Sequence, residues 1–426
     1  MKIPFPENNL KKVVVVGGGF GGIEFVKKLD TQKFSVIIID EHNYHTFQPL
    51  LYQVATGGLE PDSVAYPIRK IFRRKKNVFF RIAKALEVLP KENILKTSIG
   101  DIEYDHLVIA TGSTTNFFGD KNLQENCLTL KSVTDALDIR SFLLQNFEQA
   151  LLATTEEEKK SLMNVVIVGG GPTGVEVAGA VSELKKHVLP HDYPELDLSL
   201  TGITIVEAAG KVLASMSEEA SSKAKKFLEK MGVHIMLNTS VKKFNGTEIT
   251  LSNGKVLNTR SVIWTAGVMG KTFPGISNDV IVKGNRMQVD SFNRIKGYEN
   301  IFAIGDVSSM QTEERKPDPM LAPVAMQQAK NLASNLNKNS SEQWKPFHYF
   351  DKGTMATVGR NKAVVDLKFW KFQGLFAWFT WLFIHLILLV GYRNKIVVLI
   401  NWIWNYFSYD RAIQLIIRPF KNKSEK

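Results

Sequence analysis

The sequence predicts an α/β protein built from two parallel-sheet units, with a C-terminal region of different character. Three observations predict it. A short apolar strand, a glycine loop, a helix and a second strand ending in an acidic residue occupy residues 13–40. The same order returns at residues 165–207, and from residue 375 the chain becomes strongly apolar and aromatic. A length of 426 residues accommodates two domains and an appendage.

In the first unit, Val13-Val14-Val15-Val16 is wholly apolar and β-branched, as a strand buried on both faces requires. Gly17, Gly19 and Gly22 follow in G-x-G-x-x-G spacing, then a helical stretch to Leu29 and a strand, residues 35–39, closing at Asp40. This is the Rossmann-like dinucleotide context. Gly17 allows the tight turn, Gly19 lets the backbone approach a pyrophosphate, and Gly22 permits close helix–strand packing. The helix amino end offers unpaired N–H groups to phosphate, and Asp40 can accept from ribose hydroxyls.

The second unit repeats the set with Gly169, Gly171, Gly174 and Glu207, the wider spacing absorbing an insertion around residues 187–197. Glu207 suits a free ribose 2′-hydroxyl and repels a 2′-phosphate, so NADH is expected over NADPH. No Arg follows it, and Lys211 is the nearest cation downstream. Two dinucleotide sites imply an internal relay, and flavin is the cofactor that takes electrons in a pair and releases them singly or together. The stretch Ile301-Phe302-Ala303-Ile304-Gly305-Asp306 is a strand ending in a Gly-Asp turn, with Asp306 placed to bond a ribityl chain.

In the C-terminal region, residues 375–390 carry no charge, and a turn at residues 391–395 leads to a second apolar stretch, residues 396–407, containing Trp402, Trp404 and Tyr406. Both runs are shorter than the roughly 20 residues of a spanning helix. Aromatics beside Arg and Lys suit a segment lying in a lipid headgroup zone, and a buried helix pair or dimer interface is the competing reading. From residue 391 onward seven basic residues (Arg393, Lys395, Arg411, Arg418, Lys421, Lys423, Lys426) face two acidic ones, Asp410 and Glu425.

A net charge of +12 points to an anionic partner. No nucleic-acid reading module is present, and Arg73-Arg74-Lys75-Lys76 is expected to be a solvated loop, so no nucleic-acid partner is expected. A single cysteine, Cys127, excludes an internal disulfide, a redox-active dithiol and a Cys-rich metal site, and no metal is expected. Residues 1–10 hold two prolines and no apolar core of a secretory signal, so the catalytic body is expected on the cytoplasmic face of a membrane.

These residues resemble the type II NADH dehydrogenases, single-subunit NADH:quinone oxidoreductases that do not pump protons. The resemblance runs over nearly the whole length. It is carried by residues 16–22, the run from Asn43-Tyr44-His45 through Thr56, and Gly169-Gly170-Gly171-Pro172-Thr173-Gly174-Val175-Glu176. Trp264-Thr265-Ala266-Gly267, residues 303–306, Ala325-Met326-Gln327-Gln328-Ala329 and residues 353–360 extend it. The resemblance implies an NADH domain inserted within an FAD domain, with C-terminal membrane-associating helices. The expected boundaries are 1–160 and 271–340 for the FAD domain, 161–270 for the NADH domain and 341–426 for the membrane-associating region.

The resemblance also implies roles. Gly17, Gly19, Gly22, Asp40, Thr111 and Asp306 would hold FAD, Ala325 and Met326 would lie against the isoalloxazine, and the second set would hold NADH. Glu176 and Gln327 would serve the chemistry, with a membrane quinone as acceptor and lipid at the surface; a homodimer is left open. Pro323 stands where many members have Gln, and proline offers no side-chain donor, so quinone contacts are not carried over there. Lys371 loosely matches a lysine near the quinone entrance. Sulfide:quinone oxidoreductases and disulfide reductases share the architecture but need a cysteine pair. A redox-sensing flavoprotein of the apoptosis-inducing-factor type is the rival from another class, and the aromatic C-terminal segment argues against it.

Overall fold

The computed structural model describes residues 3, 8–311, 316–408, 415–416 and 418–420. Of the C-terminal charges named above, Asp410, Arg411, Lys421, Lys423, Glu425 and Lys426 lie outside the described residues. Two compact units emerge. One comprises residues 1–46, 66–114 and 268–350, and the other residues 47–65, 115–267 and 351–426. The expected boundaries at 160/161 and 340/341 thus differ from these cuts. Residues 115–160 fall in the second unit because the helix Val133–Leu152 packs there, against Leu51–Ala55 and Glu156–Met163. The C-terminal region belongs to that unit as well.

The first unit is built on a five-stranded parallel sheet ordered Ile301–Ala303, His106–Ile109, Lys11–Val16, Phe34–Asp40, Val78–Ile82. Val13, Val14 and Val15 are fully buried, as a central strand covered on both faces demands. The helix Phe20–Lys28 and the helix Ala322–Leu336 pack together on one face. Pro323 sits in the first turn of the latter, where a missing N–H costs nothing. Lys75 departs from the expected solvated loop. Its ammonium donates to the carbonyls of Val26, Lys27 and Leu29, capping the helix Phe20–Lys28 at the end that favours positive charge.

The second unit repeats the plan: Leu128–Thr129, Ser261–Trp264, Val165–Val168, Ile203–Val206, Val233–Met236, all parallel. The central strand again leads into the glycine loop, and the helix Pro172–His187 follows. The insertion foreseen near residues 187–197 forms a short helix, Leu189–Asp192, and a turn of 3₁₀ helix, Leu198–Leu200. A three-stranded antiparallel sheet, Thr354–Gly359, Lys362–Asp366 and Lys371–Gln373, packs its first strand on the helix Pro172–His187. A Cβ on Gly179 would overlap the Val358 carbonyl, so helix and strand touch backbone to backbone at that point.

The two apolar C-terminal stretches are helices, Leu375–Leu388 and Tyr392–Ser408. At 14 residues the first is about 21 Å long, against a hydrocarbon core of about 30 Å. Among the described residues no helix is long and apolar enough to cross a membrane. Their inner faces bury Ala377, Trp381 and Val398, while Phe379, Phe383, Ile400, Ile403, Trp404 and Phe407 remain exposed. The buried-pair reading therefore accounts for one face of each helix and leaves the other apolar face open.

Candidate active site

The two glycine loops have the same physical design. Gly17 has φ +112° and Gly169 φ +107°, backbone that L side chains rarely adopt, and a Cβ on either would run into the end of the neighbouring strand, at Ala110 or Ala266. A Cβ on Gly22 would overlap the Gly17 carbonyl, and one on Gly174 the Gly169 carbonyl. Gly19 and Gly171 differ: nothing lies within 4 Å of a Cβ built there, so each loop presents open space at its middle glycine. Each middle glycine also caps its helix without a side-chain hydrogen bond, leaving amino-end N–H groups for an anion.

Asp40 and Glu207 play matching parts. Asp40 Oδ2 accepts the Gly18 N–H at 2.6 Å and Oδ1 accepts the His42 N–H at 2.7 Å. Glu207 Oε2 accepts the Gly170 N–H at 2.5 Å and Oε1 the Ala209 N–H at 2.6 Å. Each carboxylate shapes its loop and keeps further lone pairs for ribose hydroxyls. Lys211 is committed to Glu218 at 2.9 Å and to the Met216 carbonyl. These open cradles beside carboxylates fit two dinucleotides.

Elsewhere in the first unit, Asp306 accepts the Ser113 hydroxyl at 2.6 Å, and Thr111 donates to the Lys271 carbonyl at 2.6 Å. Ala325 lies against Gly305, whose φ is +76°, and near Gly21 of the first loop. The first loop, the Gly-Asp turn and the start of the helix Ala322–Leu336 therefore meet. Met326 is partly buried on that helix. Gln327 spends its amide on Phe350, donating to the carbonyl and accepting the N–H, both at 3.0 Å. Gln328, named only as part of a motif, is fully buried and accepts the Gly305 N–H at 2.7 Å, while its Nε2 has no partner among the described residues. Sequence reasoning missed it because a buried Gln and a surface Gln look alike without the helix phase.

The second unit contains a cavity of about 100 Å³. Glu176, Ala180 and Glu183 line it from one face of the helix Pro172–His187, and Trp378, Trp381 and Leu382 from the helix Leu375–Leu388. Arg360, Trp402, Asn405 and Tyr406 complete it with residues of the segment 52–58. Polar contacts hold this wall. Trp402 Nε1–H donates to Gln53 Oε1 at 2.8 Å, Asn405 donates to the Gly58 carbonyl at 2.9 Å, and the Arg360 guanidinium bonds the carbonyls of Asn405 and Tyr406. Asn394 binds the helices to the same body, donating to the carbonyls of Asp62, Ser63 and Ala65.

Glu176 is the chemically distinctive group here. Burial pushes its carboxyl up to about 8, while the Thr357 backbone N–H and the nearby Trp381 indole pull the other way. The indole lies near without forming a hydrogen bond of ordinary geometry. A carboxyl so placed is largely protonated at neutral pH and can hold or release a proton at the cavity. Lys371 is exposed on its edge strand and does not line the cavity. The aromatic lining residues were unreadable as site residues, since a Trp in an apolar run is equally a lipid anchor or core filler.

The fold and these sites define the class first. Residues 11–329 match the family described as pyridine nucleotide-disulphide oxidoreductase, and residues 351–409 the NDH2 C-terminal domain. The type II NADH:quinone oxidoreductase Ndh of Mycobacterium tuberculosis is 34% identical over 418 residues, covering 94% of this chain and 89% of that protein. An internal alternative NAD(P)H-ubiquinone oxidoreductase of Arabidopsis thaliana mitochondria is 31% identical, covering 97% and 87%. The solved structure of NDH2 from Plasmodium falciparum in complex with NADH superposes with a TM-score of 0.87 at 23% identity, over 93% of this chain and 98% of that one. A sulfide:quinone oxidoreductase from Aquifex aeolicus shares the fold at a TM-score of 0.70 and 19% identity. The chain belongs to the type II NADH:quinone oxidoreductase family. With a single, buried cysteine it has no dithiol with which to perform the disulphide chemistry for which the broader family is named.

Proposed function

We propose that the chain oxidises NADH and passes the electrons through bound FAD to a quinone, without pumping protons, at the surface of a membrane. The observation that carries this reading is the cavity shared by two elements of the second unit. The helix that begins at the second glycine loop supplies Glu176, and the helix with an exposed apolar face supplies Trp378 and Trp381. A hydrophobic acceptor arriving from lipid thus meets an acid held by the dinucleotide-binding fold.

When bound, FAD supplies the step between a two-electron donor and the acceptor. The chain's own residues bind, orient and protonate. Gly17, Gly19 and Gly22 with Asp40 hold the FAD phosphates and ribose, Asp306 and Thr111 the middle of the molecule, and Ala325 and Met326 its ring. Gly169, Gly171, Gly174 and Glu207 hold NADH, the carboxylate favouring the 2′-hydroxyl over a 2′-phosphate. Glu176 keeps a proton available beside the acceptor. Gln327, its amide engaged by Phe350, acts by fixing that segment.

The exposed residues Phe379, Phe383, Trp404 and Phe407, with Arg393 and Lys395, suit the headgroup zone of an anionic leaflet on the cytoplasmic face. A homodimer through the same faces is the alternative use of that surface. Purified protein assayed for NADH oxidation against a panel of quinones, with the flavin absorbance recorded, tests the function. Flavin present with turnover by quinones is expected; a flavin-free protein, or one indifferent to every quinone, would refute it.

A further inference from the structure

Trp381 is 1% exposed, yet it lines the cavity beside Glu176. Its indole N–H makes no hydrogen bond of ordinary geometry among the described residues, although the Glu176 carboxyl lies near enough to feel it. Buried donors in native proteins are almost always well paired, so a poorly satisfied one at a cavity wall points to a partner that arrives from outside the chain. The ring is not free to turn and find another. His385 stacks on it at 3.9 Å with planes 21° apart, and the His385 Nδ1 lies 2.8 Å from the Trp381 carbonyl. A carbonyl only accepts, so Nδ1 carries the proton, and burial lowers the imidazole to about 4, keeping it neutral. Tyr52 and Trp402 pack against other sides of the indole, with ring centroids at 6.3 and 6.2 Å.

The other charged side chains at the cavity, Glu183 and Arg360, are engaged. Glu183 accepts the Arg360 backbone N–H at 2.5 Å, and the Arg360 guanidinium is turned to the carbonyls of Asn405 and Tyr406. Glu176 is the acid beside the indole, and mostly protonated it offers the N–H a carbonyl oxygen, a weaker acceptor than a carboxylate, while its own O–H is free to donate.

We propose that the Trp381 indole N–H is the hydrogen-bond donor that receives a carbonyl oxygen of the quinone, setting that oxygen beside the Glu176 carboxyl. The proposal rests on the quinone-reducing function above and adds a specificity residue to it. An acceptor without a carbonyl, such as ferricyanide, has no use for this bond. His385 is a positioning residue, acting through the indole plane.

Trp381→Phe keeps an aromatic ring on His385 and deletes the N–H together with one of the two fused rings, a loss of packing that the second acceptor controls for. The KM for a short-chain quinone should rise about ten-fold, while NADH still bleaches the flavin and the KM for ferricyanide stays put. An unchanged quinone KM in the flavin-loaded variant would overturn the proposal. So would an equal loss with both acceptors, which would make Trp381 a packing residue. His385→Leu leaves the N–H in place but frees the ring, and should raise the quinone KM about three-fold with ferricyanide unaffected. It keeps the question answerable if the first variant fails to fold, since no change there counts against the proposal. Wild-type protein that reduces ferricyanide but no quinone would instead remove the underlying function.

Discussion

Glu176 and Glu207 are both acids of the second unit, and their surroundings give them opposite work. Glu207 gives its oxygens to two backbone N–H groups of its own loop and the glycine loop; Glu176 is buried, which favours the neutral acid. Below about pH 4.5 Glu176 is neutral folded or unfolded and has no effect on stability. Between there and about 8 the unfolded chain sheds a proton that the folded chain keeps. Stability then falls by roughly 1.4 kcal/mol per pH unit and levels off above 8. Glu176→Gln escapes that loss, so its melting temperature should gain on the wild type from pH 5 to 8. A gap that does not change with pH would show that the carboxyl is hydrated. The same variant should keep its flavin and its bleaching by NADH, while reoxidation by quinone slows on the order of 10²-fold. Glu207→Ala combined with Ala208→Arg should raise the NADPH-to-NADH ratio of kcat/KM at least about ten-fold. An unchanged ratio in purified variants would remove Glu207 from the ribose.

At the scale of elements, the glycine loops and parallel strands were legible because each rule is local. A G-x-G-x-x-G run between a β-branched strand and a helix can only turn sharply, and the structure gives Gly17 and Gly169 the positive φ that this needs. The contact of the helix Pro172–His187 with the strand Thr354–Gly359 was illegible, because Gly179 and Val358 are far apart in sequence and nothing in either marks the other. The same holds for Gln53 with Trp402 and for Asn394 with the carbonyls of residues 62–65. Capping by Lys75 was misjudged for a related reason, since a basic run signals solvent until a helix end is known to lie beneath it. Gly179→Ala should force helix and strand apart and lower stability by about 1–3 kcal/mol. Thermal melts would register it, and an unaltered melting temperature would mean that the backbone contact relaxes freely.

At the scale of the whole molecule, the proposed function has a dinucleotide enzyme reach an acceptor carried in lipid. The helices Leu375–Leu388 and Tyr392–Ser408 line the cavity on one side and expose apolar residues on the other. Cutting them off would open the cavity as well as remove the proposed membrane contact, so surface substitution is the cleaner test. Phe379→Ser, Phe383→Ser, Trp404→Ser and Phe407→Ser together should move the enzyme to the soluble fraction with its flavin intact. High salt should detach the unaltered protein only partly, because apolar burial survives screening. Unaltered protein that is already soluble at low salt would favour a dimer interface on those faces.

The central claim is a relay from NADH through flavin to quinone, and rapid mixing with the flavin band under observation tests it most directly. NADH added without oxygen should bleach the band, and a quinone added next should restore it within a catalytic turnover. A band that NADH bleaches and quinone leaves bleached, or NADH consumption with no change in the band, would contradict the account.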